Sequence, residues 1–182
     1  MQPTARARLL ELLREKSVRQ GEFQLASGRM SDFYVDVRQT SLHAEGSRLI
    51  ALGLIERLRD DVVGVGGMSL GADPLACSVA AISTTEQRPL HAFLIRKEAK
   101  GHGTARYVEG LANLPPGSRV AIVEDTTTTG GSLLRAVARA QEAGLVVVQC
   151  LTVVEREEGA ALALREHGFT LEALTTRTEL LS

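Results

Sequence analysis

Hydrophobic positions along this chain change their spacing partway. Leu9, Leu10, Leu12 and Leu13 recur at helical intervals and predict a helix over 5–15. Phe23-Gln-Leu25 and Phe33-Tyr-Val-Asp-Val37 then have strand character, joined by the turn-forming stretch 26–31. A second helix is predicted over 44–59 from Leu49, Ile50, Leu52, Ile55 and Leu58. Beyond it, short β-branched runs alternate with helical ones. Strands are predicted at 62–65, 92–95, 120–123 and 146–154, helices at 70–83, 133–143 and 160–167, and a last short strand near Leu171.

Strand–helix alternation implies an α/β fold, with a mainly parallel twisted sheet flanked by helices. The length of 182 residues fits one domain, 1–182, with a substantial core. Ligands of such sheets bind outside the carboxyl ends of the strands, where every motif discussed below falls. The interval 96–117 breaks the rhythm, being long, polar and rich in glycine and proline. Loops of that length in compact domains are usually functional or disordered.

Composition narrows the possibilities. Apolar residues are 44% and charged residues 24%, as in an ordinary globular protein. A net charge of −1 argues against a general nucleic-acid surface, and 3% aromatics argue against a base-stacking platform. Cys77 and Cys150 read as buried apolar residues of a reducing compartment, and neither they nor the histidines have metal-ligand spacing. The segment 1–16 lacks the apolar core of a signal peptide, and no stretch approaches the ~20 apolar residues that span a bilayer. The expectation is a cytoplasmic protein with no membrane or nucleic-acid partner.

The most informative segment is Val120-Ala-Ile-Val-Glu-Asp-Thr-Thr-Thr-Thr-Gly-Gly-Ser132. A buried strand runs into two carboxylates, hydroxyl residues and glycines, and then a helix. Glycine permits positive φ, so successive N–H groups can line one concavity, and the helix start adds free donors. Such a loop suits a phosphate monoester. Glu124 and Asp125 would repel a phosphate placed against them, but they would accept hydrogen bonds from a sugar diol and favour positive charge on its ring. The plainer alternative is an acid pair that caps the helix, with the threonines forming a polar turn. In the long interval, Arg96-Lys97-Glu98-Ala99-Lys100-Gly101-His102-Gly103 sets cations between glycines, which suits a lid over an anion as well as a solvated basic loop. Gly64 to Gly71 is a poor dinucleotide fingerprint, with Ser69 at the third glycine position.

The segment 120–132 resembles the 5-phosphoribosyl-1-diphosphate (PRPP) motif of the type I phosphoribosyltransferases. The R-K-x-x-K-x-H-G pattern from Arg96 is similar to the catalytic loop of the orotate phosphoribosyltransferase family. Phe23-x-Leu-x-Ser-Gly-x-x-Ser31 with Tyr34-x-Asp36, Gly66-Gly67-x-x-x-Gly71-Ala72-Asp73-Pro74 and Glu155-Arg156 resemble further parts of that family. The resemblance implies transfer of the phosphoribosyl group of PRPP to orotate, giving orotidine 5′-monophosphate and diphosphate in pyrimidine synthesis. It implies that PRPP meets Arg96, Lys97, Lys100, His102, Glu124, Asp125, Thr126, Thr127, Thr128, Thr129, Gly130, Gly131 and Ser132. Lys97, Lys100, His102 and Asp125 are the implied catalytic residues. Thr128 and Arg156 are the implied orotate contacts, joined by the backbone around 27–29.

Magnesium (Mg2+) is the implied cofactor, with no direct protein ligand. A homodimer is implied, with a flexible catalytic loop at 96–110 completing the neighbour's site and an N-terminal hood over 1–42. Arg156 has a plainer reading as a surface residue paired with Glu155 or Glu157. Phe33 and Tyr34 are read equally well as cover for the base or as packing. Ala26 and Ser69-Leu70 stand where some members carry lysine, so contacts of those lysines are not carried over. The competing functions are transfer to another nucleobase and PRPP sensing without catalysis. The Lys-x-His-Gly end of the lid and Arg156 argue against the first, and retention of Lys97, Lys100 and His102 with no added helix-turn-helix or basic arm argues against the second.

Overall fold

The structure is a computed structural model that describes residues 2–24, 30–98 and 107–182. Helix α1 (Pro3–Leu12) continues as a wider turn over Leu13–Ser17 and leads into β1 (Val18–Gln24) and β2 (Met30–Val35). These two strands form an antiparallel pair of their own, with Val18 opposite Val35. After the short α2 (Arg38–Ser41) comes α3 (Ala44–Arg57). Then β3 (Gly64–Met68), α4 (Asp73–Ser83), β4 (His91–Ile95), β5 (Val108–Glu109) and β6 (Arg119–Thr127) follow. The chain closes with α5 (Gly131–Glu142), β7 (Val146–Glu155), α6 (Ala160–Glu166), β8 (Leu171–Thr176) and α7 (Arg177–Leu181).

The main sheet has the order β5-β4-β3-β6-β7-β8, parallel throughout except for β5 at the edge. This is the expected mainly parallel α/β architecture. Period-two alternation along β6 divides the core between the two faces. Ala121 and Val123 pack with Leu9, Leu12, Leu54 and Leu75 of α1, α3 and α4. Val120 and Ile122 pack with Leu133 and Val137 of α5 and Leu164 of α6. All four β6 residues are fully buried. A strand covered on both faces needs such an unbroken apolar run, and each buried aliphatic side chain contributes about 1.5–3 kcal/mol.

The boundaries differ from the sequence reading in ways that matter. β6 runs on to Thr127 because the long β7 supplies ladder partners, Thr126 opposite Val154 and Thr127 opposite Glu155. Helix α5 starts at Gly131, not Leu133, and α4 starts at Asp73, with Pro74 accepted in its first turn. The interval 96–117 is not all loop: Val108–Glu109 returns beside β4, and Leu111–Asn113 makes a short 3-10 turn. Cys77 is exposed, which corrects the expectation that both cysteines are buried; Cys150 is buried as expected. The face of α4 that carries Cys77 opens on a hollow with Leu42 and Leu70, and among the described residues no element covers the thiol.

Candidate active site

The carboxyl ends of β3, β4 and β6 converge on a cleft of about 250 Å3. β6 supplies Glu124, Asp125 and Thr126, and α5 supplies Ser132. The turn after β3 supplies Ser69 and Gly71, the segment after β4 supplies Lys97, and the region after β2 supplies Asp36 and Arg38. Adjacent residues of a strand point to opposite faces, and the acid pair obeys this. Glu124 accepts from the Ser132 hydroxyl and feels the charges of Arg135 and Lys97. Asp125 lies on the other side, against Gly71 and near Arg38.

Gly71 is needed there. A Cβ on it would come within 2.6 Å of the Asp125 carboxyl carbon, so only glycine allows the acid to sit against the turn. Ser69 donates to Asp73 Oδ1 at 2.8 Å and closes that turn onto the first residue of α4. Gly130 is needed for a different reason. It adopts φ +82, the left-handed region, and a Cβ would lie 2.8 Å from Leu164. The bend 128–130 therefore ends in a fixed conformation that hands the chain to α5. Its shape is secured from below, where the Thr128 carbonyl accepts from Ala160 N–H at 3.1 Å and the Thr127 carbonyl from Arg156 N–H at 2.9 Å.

Electrostatics single out the acid pair. Burial, with the Asp125 charge beside it, pushes the Glu124 carboxyl up to about 7, against the pull of Ser132, Arg135 and Lys97. Burial also raises Asp125, opposed by the Thr126 N–H, which donates to Oδ1 at 2.8 Å, and by Arg38. Asp36 is held below the usual carboxylate range, chiefly by Arg38, which reaches its two oxygens at 2.8 and 3.2 Å. Glu124 is only 7% exposed, and its Oε2 has no hydrogen-bond partner among the described residues. Buried polar atoms are normally paired, so an unpaired oxygen on a carboxyl that borders the cleft marks Glu124 as a side chain held there at a cost.

Of the residues singled out by sequence, Lys97, Glu124, Asp125, Thr126 and Ser132 meet at this cleft. Thr127 is buried, while Thr128, Thr129, Gly130 and Gly131 form the bend and the helix start beside it. Arg96 faces a second depression of about 530 Å3 that shares Ser69, Leu70 and Lys97 with the first; its Nε donates to Glu109 at 2.9 Å. Arg156 is 7% exposed and pairs with Glu158 at 2.7 Å, which differs from the plainer alternative of a surface residue paired with Glu155 or Glu157. Phe33 is fully buried in the core, with the Arg156 guanidinium 5.7 Å from its ring centroid; Tyr34 lines the cleft. Lys100, His102, Ala26 and the stretch 27–29 lie outside the described residues. Sequence reasoning missed Arg38, an isolated arginine on a four-residue helix with no spacing signal.

A mainly parallel sheet whose central strand ends in an acid pair, a threonine–glycine bend and a helix start is the arrangement that the resemblance to the type I phosphoribosyltransferases implies. Comparison with known proteins narrows it. The chain is 45% identical over 181 residues to an orotate phosphoribosyltransferase of Rhodopseudomonas palustris, spanning 98% of this chain and 97% of that one. It is 42% identical over 177 residues to the orotate phosphoribosyltransferase of a Nostoc species, spanning 97% and 85%. The crystal structure of Mycobacterium tuberculosis orotate phosphoribosyltransferase in complex with PRPP superposes with a TM-score of 0.81, at 38% identity over 98% of this chain and 99% of that one. No family model matches the chain. At these identities and coverages the chain belongs to the orotate phosphoribosyltransferase family.

Proposed function

We propose that the protein transfers the 5-phosphoribosyl group of PRPP to orotate, releasing diphosphate and forming orotidine 5′-monophosphate on the route to UMP. The observation that carries this reading is the acid pair on two sides of one strand end. Glu124 and Asp125 line one cleft together with Lys97, and Thr126 and Ser132 at the two ends of the bend line it too. In this reading the bend 126–132 holds the 5′-phosphate through N–H and hydroxyl donors, and Glu124 and Asp125 accept from the ribose diol. The Gly66-to-Asp73 turn and Lys97 face the diphosphate, with Arg96, Lys100 and His102 joining when the loop closes. Thr128 and Arg156 meet orotate, whose carboxylate suits a guanidinium fork.

The C1–oxygen bond to diphosphate breaks as a ring nitrogen of orotate bonds to C1, and the leaving group carries off the electron pair. Positive charge grows on the ribosyl ring in between. Asp125 and Glu124 stabilise that charge, and the lid cations stabilise the charge growing on diphosphate. Closing the loop excludes water from the activated sugar. Orotate is already anionic, so no strong base is required.

The residues present fit a magnesium ion carried mainly by substrate oxygens. Asp36, Glu124 and Asp125 border the cleft with the hard oxygen donors that Mg2+ takes, directly or through its waters. When bound, Mg2+ neutralises diphosphate charge and orients it.

A homodimer with shared sites goes with this reading, supported by exposed Leu42 and Leu70 around an apolar hollow of about 660 Å3. So does one domain over 1–182, with 1–42 as hood and 96–110 as catalytic loop. A cytoplasmic location is supported by two free cysteines, one of them exposed. Among the described residues no helix is long and apolar enough to cross a membrane.

The test is an absorbance assay with PRPP, Mg2+ and a panel of bases. Orotate should be consumed with release of diphosphate, and adenine, hypoxanthine and uracil should not react. Robust turnover of uracil with none of orotate would overturn the substrate assignment.

A further inference from the structure

The two described ends of the catalytic loop are tied together and to α5 by one side chain. Arg139, on the third turn of α5, donates through Nη1 to the Arg96 carbonyl and through Nη2 to the Lys97 carbonyl at 3.0 Å. Its guanidinium lies 4.1 Å from the centroid of the Tyr107 ring, at the far end of the loop. Nη1 also lies 3.6 Å from Met68 Sδ, at the end of β3 where the glycine turn begins. The stem is closed beneath it by the Arg96 N–H, which donates to the Tyr107 carbonyl at 2.8 Å. One planar group thus touches both loop ends and the strand that leads to the diphosphate turn. The helix carrying it starts at Gly131, eight residues and about 12 Å from Arg139.

We propose that Arg139 is a positioning residue for the transfer reaction: it clamps the two ends of the 96–107 segment so that Lys97 is presented to the cleft. This rests on the transferase reading above. Two carbonyls and an aromatic face at one point call for a planar, multi-donor cation, which arginine supplies and lysine reproduces only in part. The carbonyl that Arg139 holds belongs to Lys97 itself, whose side chain lines the cleft. Arg139 is not among the residues that line that cleft, so its effect is exerted through the loop. Substrate bound at the bend and the pose of the loop are then linked through α5.

The experiment compares Arg139→Met, which keeps the aliphatic stem, with Arg139→Lys, Lys97→Ala and the Arg139→Met/Lys97→Ala double variant. The expected result is a fall in kcat of about tenfold or more for Arg139→Met, with the PRPP dissociation constant within about twofold of wild type. Arg139→Lys should recover part of the loss. The double variant should be little slower than Lys97→Ala, because the two residues act as one unit. Tryptic cleavage within 96–106, mapped by mass spectrometry in the presence of PRPP and Mg2+, should be faster in Arg139→Met while cleavage elsewhere is unchanged. Wild-type kcat and wild-type cleavage in Arg139→Met would overturn the clamp. So would additive losses in the double variant, or loss of PRPP affinity with cleavage along the whole chain. Failure of the wild-type enzyme to consume orotate would overturn the transferase reading instead, and site-resolved cleavage would then decide the clamp alone.

Discussion

The bend after β6 and the stem at 96–98 both border the cleft region, through Thr126 and Ser132 on one side and Lys97 on the other, yet different forces hold them. The bend grows from a strand whose preceding residues are fully buried, and its last residue, at φ +82, lies in the left-handed region that favours glycine. Its conformation is fixed by packing and backbone bonds that exist without ligand. The stem is exposed at Arg96, Lys97 and Glu98, and polar contacts to Glu109 and Arg139 hold it. Exposed ion pairs are worth about 0–1 kcal/mol, so the Arg96–Glu109 pair adds little and the pose of the stem depends on the contacts of one side chain, Arg139, where the bend depends on a whole packed layer. The contrast suits an enzyme that binds one substrate with a preformed half and accelerates its reaction with a movable one.

Substitutions can break or sharpen this division. The largest effect is expected from the loop: Lys100→Ala should lower kcat by about one to several powers of ten and leave PRPP affinity near its starting value. An unchanged kcat would remove the loop from the chemistry. The next should come from the preformed half. Gly71→Ala pushes a methyl group into the Asp125 carboxylate, and the expected outcome is weaker PRPP binding by about tenfold. Calorimetry showing undiminished affinity would mean that Asp125 need not sit against that turn.

A smaller effect concerns pH. In the folded protein the Glu124 carboxyl titrates near 7, above its ordinary 4.5. The folded state therefore holds this proton more tightly than the unfolded chain does. The stability it contributes is full below the ordinary carboxylate range and is lost as pH rises through about 7, at most about 3 kcal/mol. Urea unfolding of ligand-free protein at pH 5 and pH 8 should show that fall in wild type and a flatter profile in Glu124→Gln. Equal slopes would argue against a strained, buried Glu124. The smallest effect belongs to the stem's own ion pair. Glu109→Ala should change stability by less than about 1 kcal/mol, and a larger drop in unfolding free energy would mean that the stem is not the loosely held half.

Much of this was legible in the sequence because local pattern and tertiary need agree around β6. An unbroken apolar run marks a strand buried on both faces, and the acids and glycines after it mark where burial stops. The strand's extension to Thr127 was hidden, since threonine is at home in strand and bend alike and only the reach of β7 decides. β5 is two residues long, too short to carry a period. Arg156 leaves the sheet one residue past β7 and turns inward to Glu158, a direction that spacing alone does not encode. Arg38 pairs with Asp36 two residues away but comes near Asp125 only through the fold, and the partners of Arg139 are distant in the chain. Cys77 was misjudged because residue type suggested burial where the fold leaves a helix face open.

The most direct test of the account is titration of the protein with PRPP in the presence of Mg2+, followed by isothermal calorimetry, for wild type and Lys100→Ala side by side. The account predicts saturable binding with nearly equal dissociation constants, because the preformed bend and acid pair supply the affinity. Absence of binding in the wild-type protein, or binding that vanishes with the loop lysine, would contradict it.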